Sequence, residues 1–176
     1  MKKRLLIALA VIALLVAFYA VTWFRIYNMA AGYFAEAEAS FESGKYALAL
    51  KGGNDFATGD FTGAYQQVVE AWEGGLALPK PQIFLDARQR EQTILQEKLS
   101  VKDIDAMVKK YLKIDKRYLD AALLRKAELL LADGKTSKAI EAYESAVQVF
   151  PMNKELAQQV EAKLAELNAQ QSADTP

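Results

Sequence analysis

The chain has 176 residues, and its 22 Lys and Arg balance its 22 Asp and Glu, so the formal net charge is zero. This balance argues against a nucleic-acid-binding protein, which needs a basic face. The absence of His and Cys excludes Ser-His-Asp and Cys-His nucleophiles, thiol redox chemistry and the usual zinc, copper, haem and iron–sulfur ligand sets, so we expect no enzyme, no cofactor, no metal site and no small-molecule substrate.

The first predicted element is a membrane anchor at the N-terminus. Residues 2–4 are basic, and residues 5–24 then contain no charged side chain. About 20 helical residues span the roughly 30 Å hydrocarbon core of a bilayer. Trp23 and Tyr27 fall where such a helix leaves the lipid, which suits rings with an apolar body and a polar edge. We therefore assign residues 1–25 to a cytoplasmic stub and a transmembrane anchor.

A cleaved signal peptide is the alternative, because it also places an apolar stretch after a basic one. The apolar run is longer than a usual signal core, and cleavage after Ala20 would put the bulky Phe18 where a small side chain is needed. The basic residues precede the run, with Arg25 alone just after it, so the positive-inside rule keeps the N-terminus in the cytoplasm. This predicts a single-pass protein of the inner (cytoplasmic) membrane, with the rest of the chain periplasmic or otherwise extracytoplasmic.

The remainder of the chain is predicted to be all-α. Apolar residues recur at three- and four-residue steps, without the sustained alternation that strands need. Ser100 and Asn153 are predicted helix N-caps. Helices are predicted at about 26–42 as a continuation of the anchor, 46–57, 61–75, 82–99, 102–114, 118–132, 136–149 and 153–168. Three regions follow the anchor: a juxtamembrane helix at 26–44, a helical domain at 45–169 and a polar, disordered tail at 170–176.

The most specific pattern lies near the C-terminus. A large, a small and a large residue on one helix precede a glycine turn, and Ala, an aromatic residue, Ala and Pro follow it. These residues are Leu123, Ala127, Leu130, Gly134, Ala139, Tyr143, Ala146 and Pro151. The unit resembles a tetratricopeptide repeat (TPR), a helical hairpin of about 34 residues. Small residues suit the places where two helices touch, and proline cannot continue the second helix.

A second copy of the pattern is readable at 45–78, with a turn at 59–61. Gly52 and Ala64 would then be the contact positions, at the cost of two adjacent glycines, Gly52 and Gly53, inside the predicted helix. We interpret this pair as a locally weak helix, the alternative being close approach by a partner backbone. An earlier frame, which pairs helix 30–42 with the next helix, also fits. Segment 81–116 has the length of a third, degenerate hairpin.

The resemblance implies an α-solenoid of about three helical hairpins, covered at its end by the helix at 154–168. Function in this family lies in the concave groove lined by the first helix of each repeat. The alternative is that Phe56 and Leu131 belong to the core, and that Arg125 and Glu128 form a surface ion pair. The groove residues implied here are Tyr46, Ala49, Gly53, Phe56, Leu124, Arg125, Glu128 and Leu131.

The resemblance also implies a scaffold for protein–protein interactions. The expected partners are membrane or envelope proteins, and the expected role is the assembly or stabilisation of a membrane complex. Two alternatives remain open: a permanent accessory subunit of such a complex, and a chaperone-like helper for exported proteins. An apolar groove would favour the subunit, and a wet, polar groove would favour transient binding of clients.

Overall fold

The computed structural model describes residues 2–55, 60–74 and 78–173. Over these ranges the chain forms eight α-helices, one π-helical turn and one two-stranded antiparallel hairpin, so the predicted helical class is confirmed. It divides into two compact units, the N-terminal unit Met1–Gln92 and the C-terminal unit Thr93–Pro176. The elements are α1 (Lys2–Glu42), α2 (Tyr46–Lys51), β1 (Gly53–Asp55), β2 (Asp60–Thr62), α3 (Tyr65–Glu73), α4 (Gln82–Thr93), the π-helical turn (Ile94–Lys98), α5 (Val101–Tyr111), α6 (Leu119–Ala132), α7 (Thr136–Val149) and α8 (Lys154–Ala173).

Helix α1 unites the predicted anchor and the predicted juxtamembrane helix, which confirms that the second continues the first. Its most apolar window has no buried residue, and α1 is long and apolar enough to cross a membrane. The later half of α1 has a different environment, because Ala30 and Ala37 are fully buried there. The same helix therefore combines an exposed apolar half with a half that belongs to a packed core.

The core of the N-terminal unit forms where α2 and α3 pack against the later half of α1. The Tyr65 ring of α3 lies edge-on to Phe34 of α1, with ring centroids 5.6 Å apart. Leu50 of α2 and Val68 of α3 have no exposed surface. Burying each such side chain contributes roughly 1.5–3 kcal/mol to folding.

The predicted helix at 46–57 ends at Lys51, so the prediction is wrong for residues 52–55, while residues 56–57 lie outside the described ranges. Gly52 adopts φ +72°, and its N–H donates to the Leu48 carbonyl, which closes the helix. A left-handed φ is open to glycine and strained for other residues. The chain then enters a hairpin in which Gly53 pairs with Thr62. The pair of glycines ends the helix instead of weakening it.

The next two predicted features also shift. The predicted helix at 61–75 begins only at Tyr65, because residues 60–62 form strand β2. The predicted turn at 59–61 falls partly outside the described residues, and its last residue, Phe61, lies in β2 and pairs with Asn54 of β1. The hairpin that the resemblance implies at 45–78 is therefore not a pair of long helices.

A charged cluster joins α1, α3 and α4 within the N-terminal unit. The Arg90 guanidinium donates to both carboxylate oxygens of Glu38, from Nε at 2.9 Å and from Nη2 at 3.0 Å. The Tyr65 hydroxyl donates to the same carboxylate at 2.6 Å. Arg90 also lies 4.4 Å from the centroid of the Phe41 ring. Such a bidentate, ring-backed pair fixes orientation better than a single surface contact.

Tyr65 gives this cluster a predicted pH dependence. Burial, and then the hydrogen bond to Glu38, raise the pKa of Tyr65 well above its ordinary value of 10.0. The folded state holds the proton more tightly than the unfolded state, so the associated stability is complete below pH 10 and is lost as the pH rises further. We expect the melting temperature of the N-terminal unit, followed by emission of Trp23 and Trp72, to fall as the pH rises from about 10 to 11.

The variant Tyr65→Phe should flatten this part of the profile because it has no phenol to ionise. Tyr46→Phe is the matched control, since it removes a hydroxyl outside the Glu38 cluster, and it should keep the parent slope. Equal slopes for the parent and Tyr65→Phe would show that other groups cause the alkaline loss.

The C-terminal unit follows the predicted helices at 118–132 and 136–149 closely. Helix α8 continues to Ala173, so residues 170–173 are helical where a disordered tail was predicted, and residues 174–176 lie outside the described ranges. Ser100 caps α5 through a capping box, in which its Oγ accepts from the Asp103 N–H at 3.2 Å and its own N–H donates to the Asp103 carboxylate at 3.1 Å. Asn153 caps α8, since its Oδ1 accepts from the Leu156 N–H at 3.1 Å. Both predicted caps are confirmed. The helix predicted at 136–149 has these bounds, and Gly134, at φ +71°, makes the turn before it.

Candidate protein-binding surface

The residues of the repeat-like pattern form the core of the C-terminal unit. On α6 and α7, Ala127 and Ala139 have no exposed surface, and Tyr143 is only 2% exposed. These residues belong to one apolar cluster, which also includes Leu156 and Val160 of α8. The small residues permit close packing of the helical hairpin and the tyrosine fills the remaining space. Beside this core, α8 lines two cavities, one that it shares with α6 and one that it shares with α7.

A small polar cavity of about 240 Å³ lies between α6 and α8. The Asn153 side chain connects the two helices at this cavity. Its Nδ2 donates to Asp120 Oδ2 at 3.2 Å, while its Oδ1 caps α8. The cavity suits a polar or hydrated contact more than an apolar one. The residues lining it are Asp120, Ala121, Leu124, Asn153, Glu155, Leu156 and Gln159.

The four site residues predicted on α6 lie in different surroundings. Leu124 lines the polar cavity. Arg125 Nη1 lies 3.5 Å from Glu128 Oε2, which is the surface ion pair of the alternative interpretation. Leu131 packs against the apolar core cluster. Arg125 Nε is buried and has no hydrogen-bond partner among the described residues.

The other four predicted site residues belong to the N-terminal unit or to undescribed positions. Tyr46 begins α2, with its ring centroid 5.3 Å from that of Phe41. Ala49 has no exposed surface. Gly53 lies in β1 instead of a helix, and Phe56 lies outside the described residues. The binding role of these residues stays a prediction.

An apolar groove of about 590 Å³ runs between α7 and α8 in the C-terminal unit. On α8, its residues recur at the spacing of one helical face. Leu164 and Val147 are partly buried on its floor, while Ala165 is exposed. Small side chains such as Ala157 and Ala165 permit close approach by another helix. The lining residues are Glu144, Val147, Ala157, Val160, Glu161, Leu164, Ala165 and Asn168.

The edges of this α7/α8 groove are acidic. Glu144 and Glu161 are both exposed, and the residues lining the groove include neither Lys nor Arg. Lys163, the next cation on α8, is engaged elsewhere, with its Nζ 3.0 Å from Glu166 Oε2. The hydrogen bond to Glu166 raises the pKa of Lys163 above its ordinary value. The groove thus combines an apolar floor with two exposed carboxylates and no cation among its lining residues.

The sequence prediction missed this groove. It treated the last helix only as the cover at the end of the solenoid, and Glu155 and Glu166 of that helix are exposed. The helix carries a second stripe, however, in which Ala157, Leu164 and Ala165 lie on one face beside the buried stripe. The sequence signal that could have revealed the groove is this second apolar stripe. A helix that only covers the end of a stack needs one apolar stripe, the one that faces the core.

No protein-family model matches the chain, and comparisons with curated proteins and with solved structures give no significant match. The TPR resemblance therefore stays a prediction. Within the described residues, no three Asp or Glu side chains come together as a metal site would require. The α7/α8 groove is the candidate site with the clearest chemistry, since its apolar floor and acidic edges would suit another helix.

Proposed function

We propose that this protein is a membrane-anchored scaffold of the TPR type, which binds protein partners outside the cytoplasm. In this proposal α1 spans the membrane once, with the N-terminus in the cytoplasm. The exposed apolar half of α1 supports the anchor, and the basic residues before it support the orientation. Tethering confines the protein to two dimensions and raises the effective concentration of weak contacts within a membrane or envelope complex.

The observation that carries the proposal is the open α7/α8 groove. Apolar surface with polar edges is typical of sites that receive an amphipathic helix. The acidic edges specify the partner further, because Glu144 and Glu161 would attract Lys or Arg beside its apolar stripe. Self-pairing of this face would bring the same carboxylates of two copies together, and like charges disfavour it. The proposed partner is therefore a basic amphipathic helix of another protein.

The apolar floor also favours one alternative role, that of a permanent accessory subunit. Lasting interfaces are more apolar than transient ones. Gentle extraction of the tagged protein from its native membrane, followed by mass spectrometry, separates the two roles. Membrane proteins that co-purify at fixed stoichiometry indicate a subunit, whereas partners lost on washing indicate a scaffold with exchangeable contacts.

Two synthetic helices test the partner chemistry directly. Each has about 18 residues, or five turns, with the same Leu and Ala stripe, and the flanks carry Lys in one and Glu in the other. Binding to the full chain in zwitterionic nanodiscs is measured by fluorescence anisotropy, and the signal from empty nanodiscs is subtracted. We expect the Lys-flanked helix to bind at least about tenfold more tightly, a difference of about 1.4 kcal/mol.

Charge reversal provides the decisive comparison. The double variant Glu144→Lys/Glu161→Lys should invert the preference toward the Glu-flanked helix. The matched control, Glu42→Lys/Glu97→Lys, adds the same charge at exposed residues that do not line the groove and should retain the parent preference. Equal binding of the two helices, or a preference that both double variants share, would refute binding in the α7/α8 groove.

A further inference from the structure

The indole of Trp23 joins the proposed anchor to two other parts of the N-terminal unit. Its Nε1 donates to the Pro79 carbonyl at 3.0 Å. Its ring stacks on Tyr27, with centroids 5.2 Å apart and planes 10° apart. It also lies 5.7 Å, centroid to centroid, from Trp72 near the end of α3. Aromatic contacts of this kind, together with a hydrogen bond, hold segments in a defined geometry.

These contacts fix the depth of residues 78–81 relative to the bilayer. Trp23 lies in the last turn of the apolar run at 5–24, which places its ring where the hydrocarbon meets the headgroups. The headgroup layer on each side of a bilayer is several ångströms thick, since the whole bilayer exceeds its hydrocarbon core by about 10–15 Å. A carbonyl hydrogen-bonded to Trp23 must therefore lie within or at the edge of that layer.

The chemistry of residues 78–81 suits this location. Leu78 is 8% exposed and packs into the unit, while Pro79 and Lys80 are exposed. Pro79 and Pro81 have no backbone N–H, so the segment brings fewer donors that need a partner into a layer with little water. The Lys80 ammonium, 4.3 Å from the centroid of the Phe84 ring, lies one residue from the carbonyl that Trp23 binds. A cation there can pair with lipid phosphates.

We propose that residues 78–81 form a lipid-binding surface that docks the N-terminal unit onto the membrane, with Lys80 among the phospholipid headgroups. This inference rests on the anchoring part of the proposed function. It goes further, because a tether alone would leave the unit free to stand away from the bilayer. Docking holds the unit at the membrane surface, at a height set by Trp23.

Site-directed spin labelling of the full chain in lipid vesicles tests the docking. The natural sequence has no cysteine, so Lys80→Cys introduces a single labelling site. Lys45→Cys is the matched control: Lys45 is also exposed, and it follows α1 at about 30 Å beyond Trp23 along the helix. We expect the label at position 80 to collide several-fold less with a water-soluble nickel relaxant, and more with oxygen, than the label at position 45.

Two further results separate docking from anchoring. Trp23→Phe keeps an aromatic ring at this position but removes the indole N–H that donates to Pro79. It should increase both the mobility and the nickel accessibility of the label at position 80. Resistance to alkaline carbonate extraction reports the anchor by itself. A carbonate-resistant protein whose label at position 80 is as accessible as that at position 45 would overturn the docking alone. Release by carbonate would overturn both the anchor and the docking.

Discussion

Gly52→Ala is expected to lower the free energy of unfolding of the N-terminal unit by about 3 kcal/mol or more, since left-handed backbone and a steric clash each cost of order 1–3 kcal/mol. Gly52 has φ +72°, and a Cβ built on it would lie 2.5 Å from the Thr62 carbonyl oxygen. That oxygen belongs to strand β2, whose backbone is held by pairing with β1. Relief of the clash would require the hairpin to move.

Two other glycines separate the causes of this loss. Gly44 also has a positive φ, at +74°, but nothing lies within 4 Å of its added Cβ. Gly44→Ala should therefore cost only about 1 kcal/mol. Gly32 lies inside α1 with open space around it, and Gly32→Ala should stabilise the unit by up to about 1 kcal/mol.

Denaturant unfolding of the full chain in nanodiscs, followed by tryptophan emission, measures all three changes, because Trp23 and Trp72 both lie in the N-terminal unit. A cost for Gly52→Ala no greater than that for Gly44→Ala would mean that the close approach of Thr62 contributes nothing. The order of the three variants is the test, since it does not depend on the absolute stability.

The sequence predicted best where the signals were local. The turn at Gly134 lies directly before the helix that it predicts. Ser100 and Asn153 accept hydrogen bonds from N–H groups three residues away. Such signals act over a single helical turn. The hairpin of β1 and β2 has no comparable signal, because its three-residue strands are too short for alternation to be read. Gly52 also fits a small contact position of the repeat pattern. That interpretation was preferred over the tendency of glycine to end a helix, and the helix was therefore predicted too long.

The candidate site was less predictable, because a groove depends on which surfaces neighbours leave uncovered. Leu123 and Leu124 are adjacent in sequence, yet the first is 4% exposed in the core and the second lines a polar cavity. The α7/α8 groove arises where Val147 and Leu164 pack against the core cluster but stay partly exposed. Periodicity identifies an apolar face, but it does not say whether the chain itself covers that face.

Tyr143→Ala is expected to cost the C-terminal unit about 3–5 kcal/mol, the range for removing a buried aromatic ring. Tyr143 is 2% exposed in the apolar cluster that joins α6, α7 and α8. This burial raises the pKa of its hydroxyl above the ordinary value. Tyr143→Phe keeps the ring and should therefore cost no more than about 1.5 kcal/mol, the net value of a typical hydrogen bond.

The same pair of variants connects the core to the proposed binding. Val160 lies both in the core cluster with Tyr143 and on the floor of the α7/α8 groove, so a cavity at Tyr143 would loosen the groove. Unfolding followed by far-ultraviolet circular dichroism gives the stability, and anisotropy with the Lys-flanked helix gives the binding. We expect Tyr143→Phe to bind like the parent and Tyr143→Ala to bind weakly even at temperatures where it stays folded. Full binding by a destabilised Tyr143→Ala would place the helix partner on a surface that this core does not shape.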